Sequence, residues 1–555
     1  MPNTRHPENR TPSPSEATES AESAESAESA ESAESAEIAE IAVVGCGPVG
    51  MTLAALLGKA GHSVVVLERY PGLYGLPRAA SFDGEIMRAL QGLGLVDELA
   101  PTLRTQDAYE WRNGAGDLLI RQVFRTVGAS GWADLYKFHQ PDLETALHSL
   151  CTSMPNVDLR FGTTVTGLSQ GRDQVTLNTS DGATFAARYV IGCDGGNSFV
   201  RNALGVEQDD LGFSEPWLVC DFTLRRPAAE LGLPSMLQIG DPEGPTTVIT
   251  TGAERQRFCF LLDDDDDLER ERAADGVWSR VGRYLSRDDA DIARTATYTF
   301  QSLVARRWRD GRVLLAGDAA HQMPPFLGQG LCSGIRDALN IAFKLDLVLR
   351  GVRGAEVLDT YQSEREPHVR GVTATSMELG RQHTLRDPVL ARERDRTLMA
   401  HRRALREPDR IRLPDLGPGL FASGGGRLSV QGRVSDGRRT GLLDDIVGGG
   451  GFRLLVAEQA LPLLNRAPLS DLGVTVVGFG PTPTGPTATG AAATGAAALG
   501  AAGTVVADPD GTHRRWLSDL GATAAAVRPD NYVYAAGPDA DAVANQLLAL
   551  LTPGT

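Results

Sequence analysis

Cysteine is scarce. The 555 residues hold six (Cys46, Cys151, Cys193, Cys220, Cys259, Cys332), with no C-x-x-C and no paired spacing. A disulfide framework and a zinc site are therefore not expected, and no metal is assigned. The acidic run Asp263–Asp267 lacks the spaced ligands of a calcium loop and reads as a solvated turn. No uninterrupted apolar run reaches bilayer length, and the first twenty residues contain no apolar core of a signal peptide, so a cytoplasmic protein without a membrane partner is expected. A concentrated basic patch is missing too. Net charge is −17, of which ten Glu against Arg5 and Arg10 put −8 in residues 1–40, leaving −9 for the rest. Nucleic acid is not an expected partner.

Length suits two to four domains. Residues 1–38 are an acidic tail built on Ala-Glu-Ser repeats; with charge all round any helix and no apolar stripe, disorder is expected. From Ile41 a βαβ unit begins, the opening of a doubly wound sheet: apolar strand, Gly turn, helix with Pro48 in its first turn and Gly61 past its end, then Val64–Glu68. Short β-like runs such as 218–224 and 258–262 mark a β-rich domain, expected at about 105–185 and 205–300, interleaved with a nucleotide-binding domain over 39–385. A strand at 313–316 precedes a long helical stretch, and 386–439 reads as helix and linker. The remainder, 440–555, reads as a separate α/β unit with a Thr/Gly/Ala/Pro-rich insertion, 481–503.

Three motifs carry the chemistry. In Gly45-Cys46-Gly47-Pro48-Val49-Gly50 the first glycine serves a tight turn. The second admits a pyrophosphate, and the third lets helix pack on strand. Glu68, eighteen residues on, suits ribose hydroxyls. The second, Tyr189 to Ser198 followed by Arg201, is a strand ending in Asp194-Gly195. The third runs from Gly317-Asp318 through His321 and Pro324-Pro325 to Gly328-Gln329-Gly330. An acid after a buried strand suits a polyol such as ribityl. The Pro/Gly loop can lie on a flat ring, and the helix starting near Leu331 aims its positive end there, where reduced flavin is anionic.

Together, in this order, they resemble the FAD-dependent aromatic hydroxylases, the single-component class A flavoprotein monooxygenases, over roughly 39–380. Pro77-Arg78-Ala79, Phe138 to Glu144 and Tyr361 to His368 also match. The 3-(3-hydroxyphenyl)propionate hydroxylase branch is the most similar, particularly across 306–345. The resemblance implies a Rossmann-like α/β FAD domain with an interleaved β-rich substrate domain. It also implies a thioredoxin-like C-terminal domain, here without cysteine, serving packing or homodimer contacts.

The implied cofactor residues are Gly45, Gly47, Pro48, Val49 and Gly50 at the diphosphate, Glu68 and Arg69 at the adenosine ribose, and Val165 at adenine. Gln140, Gly317 and Asp318 would meet the middle of the cofactor. Pro325, Gly328, Gly330, Leu331 and Cys332 would lie at the flavin, with Arg78 near flavin or nicotinamide and Asp194 in the motif shared by FAD and NAD(P)H. The implied reaction takes electrons from NAD(P)H, forms a flavin C4a-hydroperoxide with O₂ and hydroxylates a small phenolic or other aromatic substrate. The catalytic base is unassigned; His321 is a weak candidate that could equally brace the flavin loop. A hydroxylase or Baeyer–Villiger enzyme acting on a polycyclic aromatic metabolite, and a non-catalytic FAD-bound scaffold, are the alternatives. A flavin halogenase is not, since no two of its Trp residues (Trp111, Trp132, Trp217, Trp278, Trp308, Trp516) form W-x-W.

Overall fold

The computed structural model describes residues 38–263, 265–406, 411–465, 467–480 and 503–553. Apart from Ile38 and Gly503, which open strands, the acidic tail and the Pro481–Gly503 insertion lie outside the described residues.

The first sheet grows from β1 (Ile38–Val44), whose Ile41-Ala42-Val43-Val44 is buried on both faces, as a central parallel strand requires. Helix α1 (Pro48–Lys59) leads to β2 (Val64–Glu68), and α2 (Gln140–Thr152) to β3 (Val157–Phe161). Strands β4 (Thr184–Gly192) and β5 (Val313–Leu315) complete a parallel order β5-β4-β1-β2-β3. Beyond β5 come the long helices α3 (Gly330–Leu349) and α4 (Asp359–His383). The order reverses at β1, and all five carboxyl ends point to one edge, the position where doubly wound sheets bind ligands. The three motifs follow β1, β4 and β5 there.

A second, eight-stranded sheet contains Gln208–Leu224, Ala290–Ala305, Arg255–Leu261, Thr246–Gly252, Met236–Gly240 and the hairpin Ala108–Asn113/Leu118–Val123. Alternation divides its faces. Leu218, Cys220, Phe222, Val248, Phe258 and Phe260 pack into a core with Val277 and Val281 of a covering helix, while the opposite face looks back at the nucleotide sheet. The β-rich domain is smaller than its expected first stretch, 105–185. Only 108–123 of that stretch joins this sheet; β3 pairs with β2, β4 with β1 and the hairpin 165–179 with β4, all in the nucleotide sheet.

The C-terminal sheet has Arg453–Ala457 parallel to Thr475–Gly480, and the latter parallel to Gly503–Ala507. The antiparallel hairpin Ala524–Val527/Val533–Gly537 follows, turning through Asn531 at φ 68°, and Ala540–Leu551 closes the unit. Among the described residues no helix is long and apolar enough to cross a membrane.

Candidate active site

The three glycines of the first motif do three different things. Gly45 has φ 104°, and a Cβ there would come within 2.5 Å of the Cys193 carbonyl oxygen. At Gly50 a Cβ would meet the Gly45 carbonyl oxygen at 2.1 Å, so any side chain would push α1 off its strand. A Cβ at Gly47 would meet nothing within 4 Å; it would fill open space in a cleft of about 460 Å³. Above that opening α1 starts with Gly47-Pro48, has no side-chain cap and carries no acid in its first turn. Its free N–H groups are a ready anion site.

Val49 links the first motif to the third. A Cβ at Gly317 (φ 60°) would touch Val49 Cγ2 at 3.2 Å, and one at Gly334 would meet it at 2.5 Å, so two glycines seat α1 against the β5 turn and α3. Helix α3 also begins uncapped, with Gly330 and Leu331 on the cleft. Cys332 is buried behind them, its thiol pushed far up by burial. Between the two helix ends, Asp318 opens onto the cleft and accepts no hydrogen bond from the described residues. Surrounding protein raises its carboxyl above the ordinary value, opposed by His321 and Arg78.

Pro48, Arg78, Gln140, Pro325 and Gly328 line the same cleft. Gln140 Oε1 accepts the N–H groups of Arg78 (3.1 Å) and Ala79 (2.7 Å), fixing that loop to α2. Gly45, Gly50, Gly317 and Cys332 lie behind the lining, and five further expected residues stand off the cleft. Glu68 accepts Cys46 N–H (2.8 Å) and Tyr70 N–H (3.0 Å) at the tip of β2. Arg69 is exposed, stacked over Tyr70, and Val165 is buried in the hairpin. Asp194 accepts Ser198 Oγ and Val200 N–H, so it shapes the second motif, while Gly195 is the part that reaches the cleft.

His321 is the fifth. Its ring is buried against Trp308, with Nε2 2.6 Å from Asp337 Oδ2 and Nδ1 unpartnered. Asp337 also accepts Gly317 N–H and Arg365; burial raises its pKa, but His321 and Arg365 outweigh this and hold it low. That places His321 in a brace beneath the β5 turn.

The β-rich sheet supplies the opposite wall and residues that sequence patterning missed. Trp217, Val219, Met236, Ile249 and Cys259 line it. Behind Trp217 lies His383, stacked on it at 5.8 Å, its pKa driven down to about 3 by burial, so it stays neutral. Asp221, Arg257 and Arg294 form one cross-strand row. Arg257 donates to Asp221 (2.7 and 3.1 Å), to the Arg78 carbonyl (2.5 Å) and to the Pro77 carbonyl (2.8 Å). Arg294 donates to the Pro77 carbonyl (2.6 Å) and to Tyr298. The signal was present as alternation in 217–221 and 257–261, but which arginines meet one carboxylate depends on register. A second cavity of about 490 Å³ adjoins the cleft at Ser81, Met236 and Phe326.

Two uncapped helix ends, an open Gly47 cradle and an unpartnered acid between them fit a dinucleotide cofactor lying along the strand ends. Comparison with known proteins agrees. Residues 38–376 match the FAD binding domain family and 426–550 the HcaD C-terminal domain family. A probable NADH-specific resorcinol 4-hydroxylase of Rhodococcus jostii is 44% identical over 522 residues, covering 92% of this chain and 95% of that protein. The 3-(3-hydroxy-phenyl)propionate/3-hydroxycinnamic acid hydroxylase of Mycolicibacterium smegmatis is 32% identical, over 79% of this chain and 81% of that one. The flavin-dependent monooxygenase PieE, solved with FAD and substrate, shares the fold with a TM-score of 0.74 at 22% identity, covering 93% and 99% of the two chains. At 44% identity over almost the whole of both chains, the likeness to the Rhodococcus protein takes in the β-rich wall and the C-terminal unit as well as the nucleotide fold, and the chain belongs to the FAD-dependent aromatic hydroxylases.

Proposed function

We propose that the chain hydroxylates a neutral dihydroxybenzene of the resorcinol type, with NADH as the electron donor. One observation carries the choice over a phenylpropionate: both arginines on the substrate-facing sheet already donate to protein groups. A buried substrate carboxylate needs a cation of its own. Arg257 gives its N–H groups to Asp221 and two backbone carbonyls, and Arg294 gives its own to Pro77 and Tyr298. Arg78 also lines the cleft, its backbone N–H tied to Gln140 on the nucleotide side and its guanidinium stacked over the Tyr74 ring. The full-length likeness to a protein named for resorcinol and NADH points the same way.

FAD, when bound, supplies the acceptor for the nicotinamide hydride and the activation of O₂. The chain's residues bind and orient. Gly47 and the α1 N–H groups would hold the diphosphate over the turn that Gly45 and Gly50 permit, with Glu68 and Val165, off the cleft, on the adenosine side. Asp318 would take a ribityl hydroxyl, and the uncapped N–H groups at the start of α3, Leu331 and Cys332 among them, would stabilise negative charge on the ring. Trp217, Val219, Met236 and Ile249 keep water from the aromatic substrate. We read the C-terminal unit as thioredoxin-like, on its parallel pair, hairpin and closing helix; with no cysteine after Cys332 it has no dithiol chemistry.

The test is the FAD-loaded full chain, assayed with NADH and NADPH against resorcinol and 3-(3-hydroxyphenyl)propionate, with product identified by mass. A ring-hydroxylated resorcinol formed with NADH is expected; turnover confined to the phenylpropionate would overturn the assignment.

A further inference from the structure

We infer that Gln238 and Thr247 are the hydroxyl-recognising pair of this cleft, choosing an arene that carries a second hydroxyl over one that carries a single hydroxyl. The inference rests on the resorcinol reading above and deepens it.

Three observations converge. Gln238 and Thr247 are direct cross-strand partners, and the row continues through Cys259 to Val219. All four residues line the cleft, so the two polar side chains stand together on its face. The neighbouring row on that face is Met236, Ile249, Arg257 and Asp221, and the next contributes Trp217. Gln238 and Thr247 thus form a polar spot between the Arg257–Asp221 row and an aromatic wall. Second, the pair is buried, with Gln238 3% and Thr247 8% exposed. Third, Gln238 Oε1 has no hydrogen-bond partner among the described residues.

A buried amide oxygen without a donor is costly wherever it occurs, and an apolar residue of the same shape would be preferred there on packing alone. Its place on the substrate side of the cleft makes sense if a ligand supplies the donor. That donor must be neutral and compact, since the wall beside it is apolar and the adjacent cations are engaged. A phenolic O–H fits: it gives its hydrogen to Gln238 Oε1, and its oxygen can accept from the Gln238 amide or the Thr247 hydroxyl. A site built to pair a substrate hydroxyl discriminates strongly against an analogue lacking it, because the protein group is then left bare.

The experiment compares the FAD-loaded full-length wild type with Gln238→Met, which keeps length and volume but removes the amide. Resorcinol and phenol are each titrated calorimetrically, and kcat and KM are measured for both. The wild type is expected to bind resorcinol about tenfold more tightly than phenol, the scale of one neutral hydrogen bond. Gln238→Met is expected to abolish that ratio mainly through KM and Kd. FAD content read from the visible spectrum reports folding. If the substitution lowers it, Thr247→Val is expected to reduce the same ratio about threefold. A ratio unchanged in a flavin-loaded variant, or an active wild type with no preference for resorcinol, overturns this inference alone. A wild type inert on resorcinol overturns the substrate reading and this inference with it.

Discussion

A carboxylate facing a cleft without a protein donor takes its hydrogen bonds from water or from what fills the cleft. Asp318 is in that position, directly after β5 and between two uncapped helix ends. If it accepts a ribityl hydroxyl, Asp318→Ala should raise the Kd for FAD about tenfold or more, the scale of a hydrogen bond to a charged group. Fluorescence titration of the apoprotein measures this, and full flavin retention would speak against the role. His321 is a contrasting case. Its ring is held by Asp337 and Trp308 below the turn, away from the cleft wall. His321→Gln should therefore lower thermal stability while leaving the pH limbs of kcat where they are. A shifted limb would restore His321 as a proton acceptor.

At the scale of elements, the loop Pro77–Ala79 is clamped between α2 and the β-rich sheet. Gln140 takes its N–H groups on one side, and Arg257 and Arg294 take its carbonyls on the other. Arg257 manages four bonds because its donors are spread over a planar fork. Lys offers three donors at one point, so Arg257→Lys should behave like Arg257→Met. Both leave Asp221 buried with a weakened partner, loosen Arg78 and cut kcat/KM about tenfold or more. Substantial rescue by Lys in steady-state assays would show that charge, rather than the fork, matters. This clamp also marks the limit of the sequence. Gly45, Gly47, Gly50 and Asp318 could be singled out as candidates because strand, turn and helix follow one another within a few residues. The Asp221–Arg257–Arg294 row and the Gln238–Thr247 pair could not. Each joins strands dozens of residues apart, and a one-residue slip in register would turn those side chains to the other face. The same cause displaced the β-rich domain's expected boundary: 157–185 reads as β-rich, but β3 pairs with β2 and the hairpin 165–179 with β4, in the nucleotide sheet.

At the scale of the whole molecule, the C-terminal unit is fastened to the FAD domain by buried charge. Arg88 of the nucleotide domain pairs with Asp444 (2.7 Å), which also takes Arg453. Glu364 of α4 accepts Arg528 (2.9 and 3.1 Å), Asn340 (2.7 Å) and Leu420 N–H (2.7 Å), and lies 3.0 Å from Lys344. Burial raises the Glu364 carboxyl, but Arg528 and Lys344 outweigh it and bring it to about 2 from 4.5. Glu364→Gln leaves Arg528 and Lys344 in the interior with Asp530 as the remaining acid, a loss expected to cost about 3–5 kcal/mol. The sign of the pH dependence follows. The folded value is depressed, so the stability due to Glu364 is complete above pH 4.5 and disappears as pH falls toward about 2. Denaturant unfolding of wild type and Glu364→Gln should therefore differ most near neutrality and converge across that acid window. A difference that stayed constant down to pH 2 would mean the variant fails through packing, with the ion network contributing little to holding the two units together.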